Sequence, residues 1–303
     1  MSYILLPCFN VMVSGMISGN INRRSAMYGH DFTKKKRVVV KVGSSTITHE
    51  ATGNIDYTKL ERLVRQLCDL RAQGKDVCLV SSGAIAVGRY AIGLKERPKD
   101  LATKQACASI GQAYLMSVYQ KLFSEYNQRA GQILMTKKTM TDPESRENAR
   151  NTFEQLFALG VIPVVNENDT VATHEIQFGD NDSLSAIVTA LVKADALVLL
   201  SDIDGLYTDN PNTNPDAEFV PIVEDLDAVM DMASEESTSN VGTGGMTAKL
   251  RAAQIATYSG ADMVITNGAH IGNIHRIFEN KDKGTLFVAN KRDDVRVLDL
   301  LED

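Results

Sequence analysis

The stretch Val241-Gly242-Thr243-Gly244-Gly245-Met246-Thr247-Ala248-Lys249 decides what kind of fold this chain can be. Its glycines and threonines run into the start of a helix, with a lysine inside the first turn. Glycine lets backbone N–H groups turn inward and approach a ligand closely. A helix N-terminus adds unpaired N–H groups and a partial positive charge, so the element suits phosphate. An ordinary surface loop ahead of a helix would read the same way. Two familiar phosphate motifs are absent here: there is no G-x-x-x-x-G-K-[ST], and G-x-G-x-x-G would need glycine where Thr247 stands. A nucleotide held by this loop is therefore held in a fold other than those two.

The bulk numbers set wide bounds. A chain of 303 residues, 44% hydrophobic and 23% charged, can bury a full core and reads as an ordinary globular protein. Net charge is −6 without a long basic run, and tryptophan is absent, which argues against a nucleic-acid or anionic-membrane partner. No apolar run approaches the roughly 20 residues needed to span a bilayer. Cys8, Cys68, Cys78 and Cys107 show no C-x-x-C spacing, and the last three fall inside apparent helices or strands. That argues for buried thiols in a reducing, cytoplasmic compartment rather than disulfides or a zinc site. The first 30 residues carry Arg23 and Arg24 and no acid. A transit segment has that composition, but a disordered extension or an upstream start site accounts for it better, and it is assigned no role.

The fold proper is expected to begin at Lys36-Arg37-Val38-Val39-Val40-Lys41-Val42-Gly43-Ser44-Ser45, a buried strand followed by a tight turn. Lys41 interrupts the apolar run near the strand's end, where open parallel sheets bind ligands. A lysine there costs burial unless an anion meets it; the plainer alternative is a snorkelling side chain. A helix from Asp56 to Arg71 carries Leu60, Leu63, Val64, Leu67 and Leu70 at helical spacing. Then come the strand Val77–Val80 and the turn Ser81-Ser82-Gly83-Ala84, either a ligand site or a Ser-capped helix start. A long helix is expected over 100–126, with more apolar surface than one exposed helix needs, for a core or a subunit interface.

The densest polar segment follows the strand Val161–Val165. Acids and asparagines crowd positions 166 to 182, including Asn166-Glu167-Asn168-Asp169 and Gly179-Asp180-Asn181-Asp182. Asp182 or Asn181 is expected to cap the next helix, which needs only one such residue. A calcium loop is excluded because D-x-[DN]-x-[DN]-G is not met. The regular alternation of strand and helix predicts one α/β domain, a mostly parallel sheet covered on both faces, over 36–303, with residues 1–35 as an extension.

These blocks, together with Ser201-Asp202 and Gly205-Leu206-Tyr207-Thr208, resemble in order and spacing the amino acid kinase family, over roughly residues 36 to 290. The N-E-N-D and G-D-N-D blocks resemble its glutamate-phosphorylating members in particular. The resemblance implies a three-layer α/β/α sandwich and ATP-dependent phosphorylation of the L-glutamate side-chain carboxylate, the first step of proline synthesis. It also implies that Lys41 and Lys249 contact the transferring phosphoryl group and that Asp182 holds both lysines. Ser82, Asp169 and Asn181 would bind glutamate. Ser201, Asp202 and the segment Thr243, Gly244, Gly245, Met246, Thr247, Ala248 and Lys249 would bind ATP, with Mg²⁺ on its phosphates and no protein-built metal site.

The residue types suit that chemistry. A glutamate γ-carboxylate is ionised at neutral pH, so the nucleophile needs no general base, and no histidine occupies a motif position. The reaction needs positioning and relief of repulsion between two anions. Asp169 suits a free α-ammonium; an N-acylated substrate would leave it unpaired. Feedback inhibition by proline, assembly into dimers or tetramers and hand-over to a glutamyl-5-phosphate reductase are implied by the family alone. Many bacterial members carry an RNA-binding-like PUA domain, which is not expected here because the chain stops near Asp303. Two rival readings are a sister kinase acting on N-acetylglutamate, aspartate or UMP, and a non-catalytic amino-acid-sensing protein on the same fold.

Overall fold

The computed structural model describes residues 27–49, 52–173, 180–209, 211, 214–230 and 244–294. Its strands are β1 (Arg37–Val42), β2 (Asp76–Ser81), β3 (Arg129–Met135), β4 (Val161–Glu167), β5 (Ala196–Ser201), β6 (Leu206–Tyr207), β7 (Phe219–Val220), β8 (Ile222–Val223), β9 (Asp262–Asn267) and β10 (Thr285–Phe287). The helices used below are α1 (Ser44–Ile47), α2 (Tyr57–Ala72), α3 (Ala84–Ala91), α4 (Leu101–Glu125), α5 (Lys137–Thr141), α6 (Pro143–Ala158), α7 (Asn181–Leu191), α8 (Gly244–Tyr258) and α9 (Asn273–Phe278).

One sheet of eight strands organises these elements, in the order β3-β4-β2-β1-β5-β9-β10-β8. Pairing is parallel from β3 through β9, and β10 runs antiparallel to β9. This is the expected mostly parallel sheet. The chain leaves β1 toward β2 on one side and returns to it through β5 on the other. Such a reversal opens a crevice at the carboxyl ends of the strands.

Strand alternation sorts the core into two layers. Val38, Val40 and Val42 of β1 belong to the cluster shared with Leu60, Leu63 and Leu67 of α2. Val39 belongs to the opposite cluster, with Leu184 and Ile187 of α7 and Leu250 of α8. A period of two puts Lys41 on the Val39 face, the face that α7 and α8 cover. The position of one lysine on one strand thus selects which helices can meet it.

Helix ends follow local chemistry. Asp56 accepts from the Lys59 N–H at 3.0 Å, Asp100 from Thr103 at 2.8 Å and Asp142 from Ser145 at 2.8 Å, each satisfying a free N–H of a first turn. The sequence misplaces one cap. Asp180, rather than Asn181 or Asp182, caps α7, accepting from the Ser183 N–H at 2.7 Å. A single cap suffices, so Asn181 and Asp182 are released for other partners.

Residues 27–35, placed by the sequence in an extension, are packed on the body. Met27 and Phe32 are fully buried, and Phe32 stands edge-on to Phe278 of α9. Lys35 pairs with the buried Asp262 at 2.6 Å. The physical reason is that α9 and the end of β9 leave an apolar edge that these residues cover. The rest of the extension, residues 1–26, lies outside the described residues.

Candidate active site

The carboxyl ends of β1, β2, β4 and β5 open into a cavity of about 620 Å³. It is lined by Lys41, Ser82, Asp169, Asn181, Asp182, Ser201, Asp202 and Lys249, among others. Eight residues singled out in the sequence, from six separate segments, therefore meet in one place.

Asp182 is the centre of charge. Its carboxylate is 5% exposed, in the first turn of α7. Lys41 Nζ stands 2.5 Å from Oδ1 and Lys249 Nζ stands 3.1 Å from Oδ2. The Lys249 contact is a directed hydrogen bond. The Lys41 contact is an ion pair, its ammonium touching Oδ1. Burial works to raise the Asp182 pKa, and the two ammoniums outweigh it, Lys41 before Lys249, holding the carboxyl below its ordinary range. Two cations are thus held by one anion at the edge of the cavity.

The second half of the cavity is amide-rich. Asn181 Nδ2 donates to Ser82 Oγ at 2.6 Å, to the Ser81 carbonyl at 3.0 Å and to Asn166 Oδ1 at 3.1 Å. Ser82 can be reached because Gly83 takes a left-handed turn, φ 96°, at the start of α3. Asp169 is partly buried, and burial alone pushes its pKa up from the ordinary carboxylate value. Such a group holds a desolvated negative charge that a cationic ligand would relieve.

At the β5 end, Ser201 Oγ donates to Asp202 Oδ1 at 3.0 Å. The glycine-rich segment enters α8, where Gly245 and Thr247 are exposed and Lys249 reaches the cavity. Met246 is buried in the core, so its contribution to a ligand is confined to backbone. Thr243 lies outside the described residues, as does Gly179. Among the described residues, no three His, Cys, Asp or Glu side chains cluster to hold a metal. None of the described helices is long and apolar enough to cross a membrane.

The sequence marks Asn166 within the N-E-N-D block without a role of its own and gives no sign of Arg89 or Arg97; all three line the cavity. Asn166 carried a signal: it is a polar residue closing the buried run Ile162–Val165. The two arginines carried none, since surface arginines are common.

A sheet of this order, with two lysines gathered on one buried acid at its carboxyl edge, defines a phosphotransferase class, and the chain belongs to the amino acid kinase family, whose model spans residues 36–267. Its relatives narrow the class. A glutamate 5-kinase from Carboxydothermus hydrogenoformans is 49% identical over 257 residues, 85% of this chain and 69% of that protein. A glutamate 5-kinase from Clostridium acetobutylicum is 48% identical over 256 residues, 84% of this chain and 96% of that protein. Among solved structures, the UMP kinase of Ureaplasma parvum superposes with a TM-score of 0.60 at 16% identity, covering 84% of this chain and 99% of that one. That last likeness speaks for the fold alone.

Proposed function

We propose that this chain is a glutamate 5-kinase, transferring the γ-phosphoryl group of ATP to the side-chain carboxylate of L-glutamate as a cytoplasmic step of proline synthesis. The observation that carries this reading is the pairing of Lys41 and Lys249 on Asp182 beside the pocket of Ser82, Asn181 and Asp169. Both reactants are anionic, and the barrier to their approach is electrostatic. Two fixed ammoniums supply positive potential where charge shifts as the phosphoryl group moves, without reorganising at that moment. Asp182 holds them in place; it takes no proton from the substrate, whose γ-carboxylate is already ionised.

Ser82 and Asn181 hold glutamate, and Asp169 receives its α-ammonium. An N-acetyl group would replace that cation with a neutral amide and leave Asp169 desolvated and unpaired. Ser201, Asp202 and the segment from Thr243 to Lys249 form the nucleotide side, where the first turn of α8 offers backbone N–H groups to phosphate. Mg²⁺ would be carried on the ATP phosphates, where it would offset their charge. Proline would compete at the same pocket as the end product, and α4, with Ile110 and Tyr114 exposed, is a candidate face for assembly into dimers or tetramers.

The test is ADP release with Mg-ATP and L-glutamate, with hydroxylamine present to trap the acyl phosphate. N-acetylglutamate, aspartate and UMP are run as alternative acceptors, and proline is added to a parallel glutamate reaction. Hydroxamate formed from glutamate alone is the expected result. Turnover with another acceptor only would move the function to a sister kinase.

A further inference from the structure

We infer that Gln112 of α4 is a positioning residue for the amino-acid pocket, acting through Asn166 on the substrate-facing Asn181. The inference rests on the function proposed above and extends it to a residue that does not line the cavity.

The argument begins with backbone groups, which can only donate or only accept. The Glu167 N–H donates to Asn166 Oδ1 at 2.9 Å, which fixes that oxygen as the acceptor end of the Asn166 amide. The Ser81 carbonyl accepts from Asn181 Nδ2 at 3.0 Å, which fixes the Asn181 amide as well. Asn181 also donates to Asn166 Oδ1 at 3.1 Å. With its NH₂ shared among Ser81, Ser82 and Asn166, Asn181 has its carbonyl oxygen left to offer a ligand in the cavity that it lines. An acceptor beside Asp169 fits an ammonium with several N–H groups to place.

Asn166 must then direct its own NH₂ away from Asn181. It meets Gln112 Oε1 at 2.8 Å. Gln112 is 9% exposed and lies on the apolar side of α4 among Ala108, Leu115 and Met116. A carboxamide there is costly unless it is needed to satisfy another buried polar group. Take it away and the buried Asn166 NH₂ loses its acceptor, so the amide gains a reason to rotate and to release Asn181.

Two further contacts place Gln112 in a series. Gln105 Nε2 donates to the Ala172 carbonyl at 3.1 Å, next to the segment bearing Asp169. Tyr119 Oη and Ser81 Oγ are 2.8 Å apart, next to Ser82. Positions 105, 112 and 119 recur every two helical turns and so share one face of α4. That face braces each segment that feeds the amino-acid pocket. The adjoining Gly111 brings α4 in close: a Cβ there would lie 1.8 Å from the Ala84 carbonyl, two residues from Ser82.

The experiment compares wild type with Gln112→Leu, which removes the acceptor at similar volume, and Gln112→Glu, which keeps one. Gln112→Leu is expected to raise KM for glutamate about tenfold, the loss expected of one buried hydrogen bond, with KM for ATP within about twofold of wild type. Gln112→Glu should recover most of the glutamate affinity. A purely structural role would lower the melting temperature of Gln112→Leu and leave both KM values alone, and that result overturns the inference. If Gln112→Leu does not fold, Gln112→Met replaces it under the same criteria. Should wild type not phosphorylate glutamate, the functional reading fails by itself. The relay is then judged from the side-chain ¹H–¹⁵N amide signals: displacement of both Asn166 and Asn181 in the leucine variant sustains it, and an unmoved Asn181 overturns it.

Discussion

Lys41 Nζ and Asp182 Oδ1 stand 2.5 Å apart, joining the second-last residue of β1 to the first turn of α7. Lys249 closes the same carboxylate from α8 at 3.1 Å. Two ammoniums that share one carboxylate, Lys41 buried and Lys249 partly buried, depend on the anion between them.

Replacing Asp182 by asparagine therefore has two expected effects. Turnover should fall by at least about 100-fold, the scale of losing preorganised charge at a reacting centre. Thermal unfolding should come earlier, since breaking a buried ion pair costs about 3–5 kcal/mol. A non-hydrolysable ATP analogue should return part of the lost stability, because its phosphates supply new anions to both lysines. A variant with wild-type turnover would remove Asp182 from the mechanism.

Asp169 and Asp182 bend the pH dependence of stability in opposite senses. The Asp182 pKa is depressed, so its contribution is present above the ordinary carboxylate pKa of about 3.9 and is lost as pH falls through the lower folded value. Burial raises the Asp169 pKa, so the folded state binds its proton more tightly and stability drops as pH rises through that higher window. Asp169→Asn should accordingly raise the melting temperature of the ligand-free protein at pH 7. The same variant should raise KM for glutamate far more than KM for ATP. Equal changes in both KM values would place Asp169 outside the amino-acid pocket.

Much of this site is visible in the sequence because the fold makes it local. The valine run of β1 announces a buried strand, and one lysine within it marks both the strand's end and the face that matters. The crowded acids and asparagines of 166–182 mark a second strand end, although which of them caps α7 depends on geometry that a run of capping residues leaves open. Asp180 takes that part. The burial of Phe32 is not legible in the sequence because it depends on Phe278 of α9, far along the chain. Gln112 stayed hidden for the same reason. Its partner is on β4, and a lone glutamine on an apolar helix face looks like an accident until Asn166 is set beside it.

The crossing of α3 and α4 sets how closely Gln112 approaches the pocket. A Cβ at Gly88 would lie 1.8 Å from the Cys107 carbonyl, and one at Gly111 equally close to that of Ala84. Both obstacles are backbone and cannot swing away. Gly111→Ala is expected to destabilise the protein by about 1–3 kcal/mol or more through overpacking, measured by urea unfolding. Gly272→Ala is the control: its φ is −60° and nothing lies within 4 Å of the added carbon. It should be neutral or gain about 0.4–1 kcal/mol from a stiffer unfolded chain. A stable, unperturbed Gly111→Ala would mean that the helices can part without cost.

Thiol reactivity reports on the sheet from within. Burial pushes the Cys68 thiol up to about 12 and raises that of Cys78 as well, with Arg37 opposing the rise at Cys78. The thiolate is the nucleophile, so both groups should be inert to iodoacetamide at pH 8 in the native protein. Cys68 lies on α2 in the core layer of Val38 and Val40, and Cys78 lies on β2 facing the opposite layer, with Val39 and Leu184. Alkylation of each then requires opening of a different layer, and if both layers unfold as one cooperative unit their labelling should rise together across a urea titration. Mass spectrometry of the labelled peptides separates them from Cys8, which lies outside the described residues. Cys78 sits on a strand paired on both sides, with β1 and β4. If it labelled well before Cys68, the layer of Leu184 and Leu250 would be opening ahead of the α2 layer, and the two halves of the core would not be one cooperative unit.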